Sequence, residues 1–238
     1  MGAITGNAKA TGMERWAIYY APETDSALWQ LGSRWLGRDA ASGERFDPPA
    51  GMAPAAWQAL VATPAHYGLH ATLKPPFQLA DGAGAAALIA AARDLAAAIP
   101  AFTTAPLEIA SIGDFLALQP RSRCAELDHL AARCLRELDG FRAPRERPAP
   151  GNATPRQRAL NAQWGYPYVL DEFRFHITLT GPVARHRHAE LKAVLARQLA
   201  GALDNTPLAV TAIAAYRQAS AKAPFERLER LALGAPAT

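Results

Sequence analysis

Two stretches constrain this chain more than any other: "GLHATLKPPF" from Gly68 to Phe77 and "RFHITLTGPV" from Arg174 to Val183. Each holds a histidine, any residue, a threonine and a leucine. Their surroundings repeat as well. His70 is followed by a helical run and then "PLEIASI" from Pro106; His176 is followed by a helical run and then "PLAVTAI" from Pro207. A helix also precedes each motif. A unit of helix, motif strand, helix and hairpin written twice implies a duplicated α+β fold, with antiparallel sheets flanked by helices. Two such lobes about a pseudo-two-fold axis bring both motif strands into one central cleft.

The individual elements follow from local pattern. "RWAIYYAP" (Arg15 to Pro22) is an aromatic and β-branched run stopped by proline, hence a strand. The next run has polar capping candidates and places Leu28, Leu31, Trp35 and Leu36 at helical spacing. A short helix is expected around Ala55 to Ala62, and others over Ala85 to Ile99, Leu127 to Leu138 and Ala189 to Leu203. "PLEIASIGDFLALQP" reads as a hairpin turning at Gly113 and Asp114, and "ERLERLAL" as the last strand. The stretch Arg142 to Arg158, dense in proline, glycine and arginine, reads as a loop.

With 238 residues, half of them apolar, the chain has enough material for one bilobal domain over 13–238, its halves roughly 13–120 and 121–238 and interleaved. Residues 1–12 are small and polar with no apolar core, so they read as a disordered extension instead of a signal peptide, with Met13 as a natural start. The net charge of +4 is spread along the chain, which favours small anions or a short nucleic-acid end over DNA coating. Gly82 to Pro100 is apolar but carries Arg93 and Asp94 in its middle, which argues against a membrane span. Cys124 and Cys134 match neither a disulfide framework nor a zinc pattern and read as buried thiols. The expected compartment is the cytoplasm.

In a strand, alternate residues share a face. That sets His70, Thr72 and Lys74 together, and Arg174, His176, Thr178 and Thr180 together. Leu69, Ala71 and Leu73, and Phe173, Phe175, Ile177 and Leu179, form the opposite, core-facing sets. Histidine titrates nearest neutrality, so two imidazoles across a cleft suit proton transfer in both directions. Each threonine offers a hydroxyl to a phosphoryl oxygen, and Lys74 or Arg174 offsets its charge. The set suits phosphodiester chemistry. No carboxylate lies on either polar face, and two histidines leave a zinc site short of ligands, so neither a metal nor a cofactor is expected.

Other residues have two readings. Tyr67 either bonds the substrate or packs with the core set. His66 reads as a loop residue, His129 as structural, and His186 with His188 as a solvated basic cluster despite the metal-like doublet. Arg142, Arg145, Arg147, Arg156 and Arg158 belong to a charged loop or to a lid over an anionic substrate. Trp164, Tyr166 and Tyr168 either stack on a base or ribose or pack. Arg217 and Lys222 are rim candidates.

"HATL" and "HITL", one per half, resemble the paired signature of the 2H phosphoesterase superfamily. "WAIYYAP", "YGLHATLKPPF", "WGYPYVLDEFRFHITLTG" and "APFERLERLAL" are more closely similar to its phosphonate metabolism branch of unknown function, encoded near carbon-phosphorus lyase genes. The resemblance spans Arg15 to Leu233. It implies a duplicated fold, His70 and His176 as general acid and base, Thr72 and Thr178 as phosphate-binding hydroxyls, and no metal requirement. It also implies a phosphoesterase, of the cyclic phosphodiesterase type, whose partner is a small phosphorylated substrate with a cyclic or linear phosphodiester, such as a nucleoside 2',3'-cyclic phosphate. For this branch a phosphoribosyl cyclic phosphate is an attractive substrate, because carbon-phosphorus cleavage passes through one. Two alternatives stay open: an RNA-end 2',3'-cyclic phosphodiesterase or 2'-5' ligase, and a phosphometabolite-binding protein without turnover.

Overall fold

A computed structural model describes residues 14–144 and 148–235. The chain opens with strand β1 (Arg15–Tyr20) and helix α1 (Ala27–Leu36), capped by the Ser26 hydroxyl, which accepts the Trp29 amide. Helix α2 (Pro54–Tyr67) leads to strand β2 (Ala71–Phe77), which carries the first motif. Helix α3 (Ala85–Ala97) and strand β3 (Phe102–Thr104) come before the hairpin of β4 (Leu107–Ile112) and β5 (Phe115–Pro120), with Gly113 at its turn. Helices α4 (Ala125–Glu137) and α5 (Pro155–Trp164) precede β6 (Ile177–Thr178). Helix α6 (His188–Gln198) and strands β7 (Leu208–Val210), β8 (Ala212–Gln218) and β9 (Glu226–Ala232) complete the chain.

Among the described residues, seven strands form one antiparallel sheet in the order β4-β5-β6-β2-β1-β8-β9, and β3 pairs with β7 beside it. The two lobes therefore join at their motif strands. The hairpin that follows the first motif in sequence lies against the second motif's strand. The hairpin that follows the second motif lies beyond β1, on the first motif's side. Residues Leu127, Leu130, Ala131, Cys134 and Leu135 form the buried stripe of α4, which packs on β2, while α3 packs against β9 and α4. Each leucine so buried contributes roughly 1.5–3 kcal/mol, enough to hold α4 on the sheet without help from its weak surface ion pairs.

Three expectations need correction. Helix α5 lies partly within the stretch read as a loop. Its start is a capping box in which Thr154 accepts the Gln157 amide and the Gln157 side chain accepts the Thr154 amide, with Pro155 in the first turn. The helix at Ala55 to Ala62 runs on to Tyr67, through Pro64. Proline cannot bond the carbonyl four residues back, and that Leu60 carbonyl instead accepts the Gly181 amide at 2.6 Å. A helix ahead of the first motif is thereby tied to the chain just after the second. Finally, Cys134 is buried but Cys124 is only half-buried, its thiol 3.1 Å from Glu126. Residues 1–13, which include the expected extension, lie outside the described residues, and no helix among the described residues is long and apolar enough to cross a membrane.

Candidate active site

Strands β2 and β6 are neighbours, and Ala71 pairs with Ile177. Extended by one residue each way, that register sets His70 opposite Thr178 and Thr72 opposite His176, all on the face opposite Ala71 and Ile177. The four motif residues thus form a quartet about a local two-fold that passes between the two strands.

Both imidazoles are oriented alike. His70 Nδ1 is 2.9 Å from the Gly68 carbonyl, and His176 Nδ1 is 2.8 Å from the Arg174 carbonyl. A carbonyl only accepts, so each Nδ1 carries the proton and each neutral ring has an unprotonated Nε2. Thr72 Oγ1 lies 3.3 Å from His70 Nε2, which makes the hydroxyl the donor to that lone pair. Gly68 is required for this orientation: its φ is 77°, in the left-handed region, and a Cβ there would meet the Cβ of Ala40 at 2.5 Å.

The surroundings differ. His70 stacks on Tyr19 at 4.0 Å, with Tyr67 at 5.8 Å and Tyr216 at 6.3 Å. Burial in this aromatic nest pushes its pKa down to about 4, against the opposing pull of the Gly68 carbonyl, and the nearby His176 lowers it further. Burial also lowers His176, countered by the Arg174 carbonyl. Its ring is 5.8 Å from Phe115 and borders a cavity of about 610 Å³ lined also by Thr72, Arg174, Tyr166, Tyr168 and Arg185. The sequence reading missed Tyr19, Tyr216, Phe115 and Phe225; the alternation of "WAIYYAP" carried a signal for Tyr19 alone.

The remaining candidates divide. Arg174 is exposed and lines the cavity beside His176. Tyr67 is half-buried and stacks on Phe225 at 5.1 Å, the packing alternative. Lys74 is 1% exposed, its Nζ donating to the Leu135 carbonyl at 3.1 Å and to Asp139 at 2.9 Å. Thr72 faces Tyr19 while Lys74 faces Ile18, so Leu73 is an extra residue that breaks the alternation expected to set Lys74 beside Thr72. Thr180 is fully buried and its hydroxyl accepts the Leu116 amide at 3.0 Å, because the chain leaves regular pairing after Thr178. Neither residue stands in the cleft where alternation placed it.

Among the loop arginines, Arg142 bonds Asp139 at 2.8 and 3.0 Å, Arg156 bonds Asp171, and Arg158 donates to the Ala153 carbonyl. Arg145 and Arg147 lie outside the described residues. His66 accepts from Gln218 at 2.8 Å, and His188 bridges Ser111 and the Val183 carbonyl, so His188 is not in a solvated cluster. His129 and His186 are exposed. Arg217 approaches Glu226 at 3.9 Å and Lys222 is exposed. Among the described residues no three of His, Cys, Asp and Glu converge as metal ligands.

The profile of a family described as "Protein of unknown function (DUF1045)" matches residues 72–226. A curated protein from Janthinobacterium sp. (strain Marseille), named ribose 1,5-bisphosphate phosphokinase PhnN, is 36% identical over 92% of this chain and 51% of its own length. One of the same name from Laribacter hongkongensis (strain HLHK9) is 42% identical over 70% of this chain and 40% of its own. The chain thus spans about half, or less, of the curated relatives it matches. Solved structures similar to it include LigT of E. coli complexed with 3'-AMP, at 18% identity and a TM-score of 0.44 over 93% of this chain and 98% of that one. Another is a conserved protein of unknown function from Agrobacterium tumefaciens str. C58, at 16% identity and a TM-score of 0.41 over 92% and 86%.

Proposed function

The chain belongs to the DUF1045 family of proteins of unknown function, and from that premise we propose that it opens a cyclic phosphodiester, with His70 as general base and His176 as general acid. The observation that carries this reading is the β2–β6 register, which gathers two histidines and two threonines on one face. Attack on phosphorus puts the entering and leaving oxygens roughly in line, on opposite sides. A base and an acid facing each other across the strands match that geometry.

In the proposed step, His70 Nε2 takes a proton from water as its oxygen bonds phosphorus. The bond from phosphorus to the leaving oxygen breaks, and His176, protonated at Nε2, gives that oxygen its proton. Thr72 and Thr178 donate hydrogen bonds to the non-bridging oxygens as charge develops there. The roles follow from surroundings: the drier His70, at about pKa 4, stays neutral at neutral pH and serves as base. His176 borders the cavity, where the negative charge of a bound phosphodiester favours its protonated form against the effect of burial.

For the substrate, a ribose bearing a 1,2-cyclic phosphate and a 5-phosphate becomes ribose 1,5-bisphosphate when the bond from phosphorus to O2 breaks. Two relatives are named for a kinase acting on that bisphosphate, and this chain matches only part of each. Reading this part as the enzyme that makes the bisphosphate places two consecutive reactions in one polypeptide of those relatives. Tyr166 and Tyr168 on the cavity wall favour a second reading, a nucleoside 2',3'-cyclic phosphate whose base stacks there.

The test is turnover of both compounds, followed by phosphorus NMR with chelator present and H70A and H176A as controls. Ring opening of the sugar cyclic phosphate that either variant abolishes is the expected result. Full activity of H176A on every phosphodiester tried refutes the reading. For kcat/KM against pH, the base sets a rising limb near pH 4 and the acid a falling limb below 6.5.

A further inference from the structure

Beside the catalytic cavity lies a second cavity of about 310 Å³, lined by Arg15, Lys74, Pro75, Arg142, Trp164 and others. The two share Pro75. Thr72 lines one and Lys74 the other, on either side of the bulged Leu73. Among the described residues no aspartate or glutamate lines the second cavity. Asp139 stands behind Lys74 and Arg142 and pairs with both, so one carboxylate offsets two cations. Arg15 has no carboxylate partner among the described residues. Its Nε donates to Gln218 Oε1 at 2.6 Å and its guanidinium sits 5.3 Å from the Phe225 ring centre. Gln218 is itself fixed, its amide nitrogen bonding His66 and the Ala221 and Ala223 carbonyls. Trp164 also lines it, with a buried indole N–H that has no hydrogen-bond partner among the described residues.

We propose that this cavity is a second phosphoryl subsite: it holds a phosphomonoester on the far side of the sugar whose phosphodiester reacts at His70 and His176. The proposal rests on the reading of the adjoining cleft as a phosphodiesterase site. A dianion with three free oxygens matches a wall with excess positive charge, a guanidinium fixed from behind and an unpartnered donor. An RNA end would place its chain, not a terminal phosphate, in that direction.

The first arm of the test compares ribose 1,2-cyclic phosphate with and without a 5-phosphate. The expected result is a kcat/KM roughly tenfold or more higher for the 5-phosphate form, carried mainly by KM, with R15A bringing the ratio close to one. The second arm needs no turnover: ribose 5-phosphate is titrated calorimetrically into the H70A/H176A double variant, and adding R15A weakens binding by a similar factor. R15Q replaces R15A if the latter melts early. A wild-type ratio near one, equal loss on both substrates, or ribose 5-phosphate binding indifferent to Arg15 overturns the subsite. If no cyclic phosphate turns over while Arg15-dependent binding stands, the phosphodiesterase reading falls and the subsite survives.

Discussion

The two motif strands agree in what they present and differ in what surrounds them. Around Ala71 and around Ile177 the histidine bonds the carbonyl two residues back, and a half-buried threonine stands two residues on. Yet β2 is a seven-residue strand with extra residues that carry it past β1, while β6 has two residues before the chain turns away. His70 is wedged among tyrosines, whereas His176 borders open space. The quartet is thus symmetric while the packing around it differs, and burial lowers the pKa of both imidazoles, His70 down to about 4. Lys74 and Thr180, which hold the same place in the two motifs, both turn away from the quartet: Thr180 accepts the Leu116 amide, and Lys74 bonds Asp139 and borders the adjoining cavity.

The sharpest way to break this comparison is at the histidines. H70A and H176A each lose on the order of a hundred- to ten-thousand-fold in kcat/KM. With a nitrophenyl phosphodiester, whose leaving group needs no proton, the H176A loss shrinks and the H70A loss stays. The opposite pattern exchanges the roles. Next come the threonines: T72V and T178V each cost roughly ten- to a hundredfold in kcat, with T72V the larger because Thr72 also bonds His70. Equal kcat for both variants and wild type removes the threonines from the mechanism.

Smaller effects test the scaffold. T180V leaves the Leu116 amide without an acceptor and lowers stability by about 1–3 kcal/mol, read by denaturant unfolding, with kcat unchanged. An activity loss beyond the folded fraction returns Thr180 to the cleft. The smallest effect is on pH and stability. The unfolded His70 titrates near 6.5 and the folded one near 4, so the unfolded state binds more protons between those values. Stability from this residue is complete above the upper value and falls as pH drops toward the lower one. H70Q flattens that part of the acid slope in melting temperature; an unaltered slope shows that His70 is not dry.

Much of the site is legible in the sequence because strand periodicity is local. The "HATL" and "HITL" spacing is enough to set each histidine and threonine on one face, and the repeat is enough to put a motif in each half. Helix α5 was hidden because proline and glycine around Thr154 suggest a loop, while the capping box needs only Thr154, Pro155 and Gln157 to start a helix. Lys74 was misplaced because a bulge exists only relative to a partner strand, and β1's register is not written in β2. The aromatic nest of His70 also draws on Tyr19 and Tyr216, which are distant in the chain, and no local pattern joins them to Tyr67 and His70.

Residue type and short spacings are enough for the two His-x-Thr pairs, for most of the helices and strands, and for the antiparallel α+β class. Long-range packing alone makes β2 and β6 neighbours, sets His70 among tyrosines and His176 on a cavity wall, and brings Arg15, Lys74 and Arg142 together beside the cleft. Those are consequences of long-range pairing and exclusion of water, which arise when distant segments pack together.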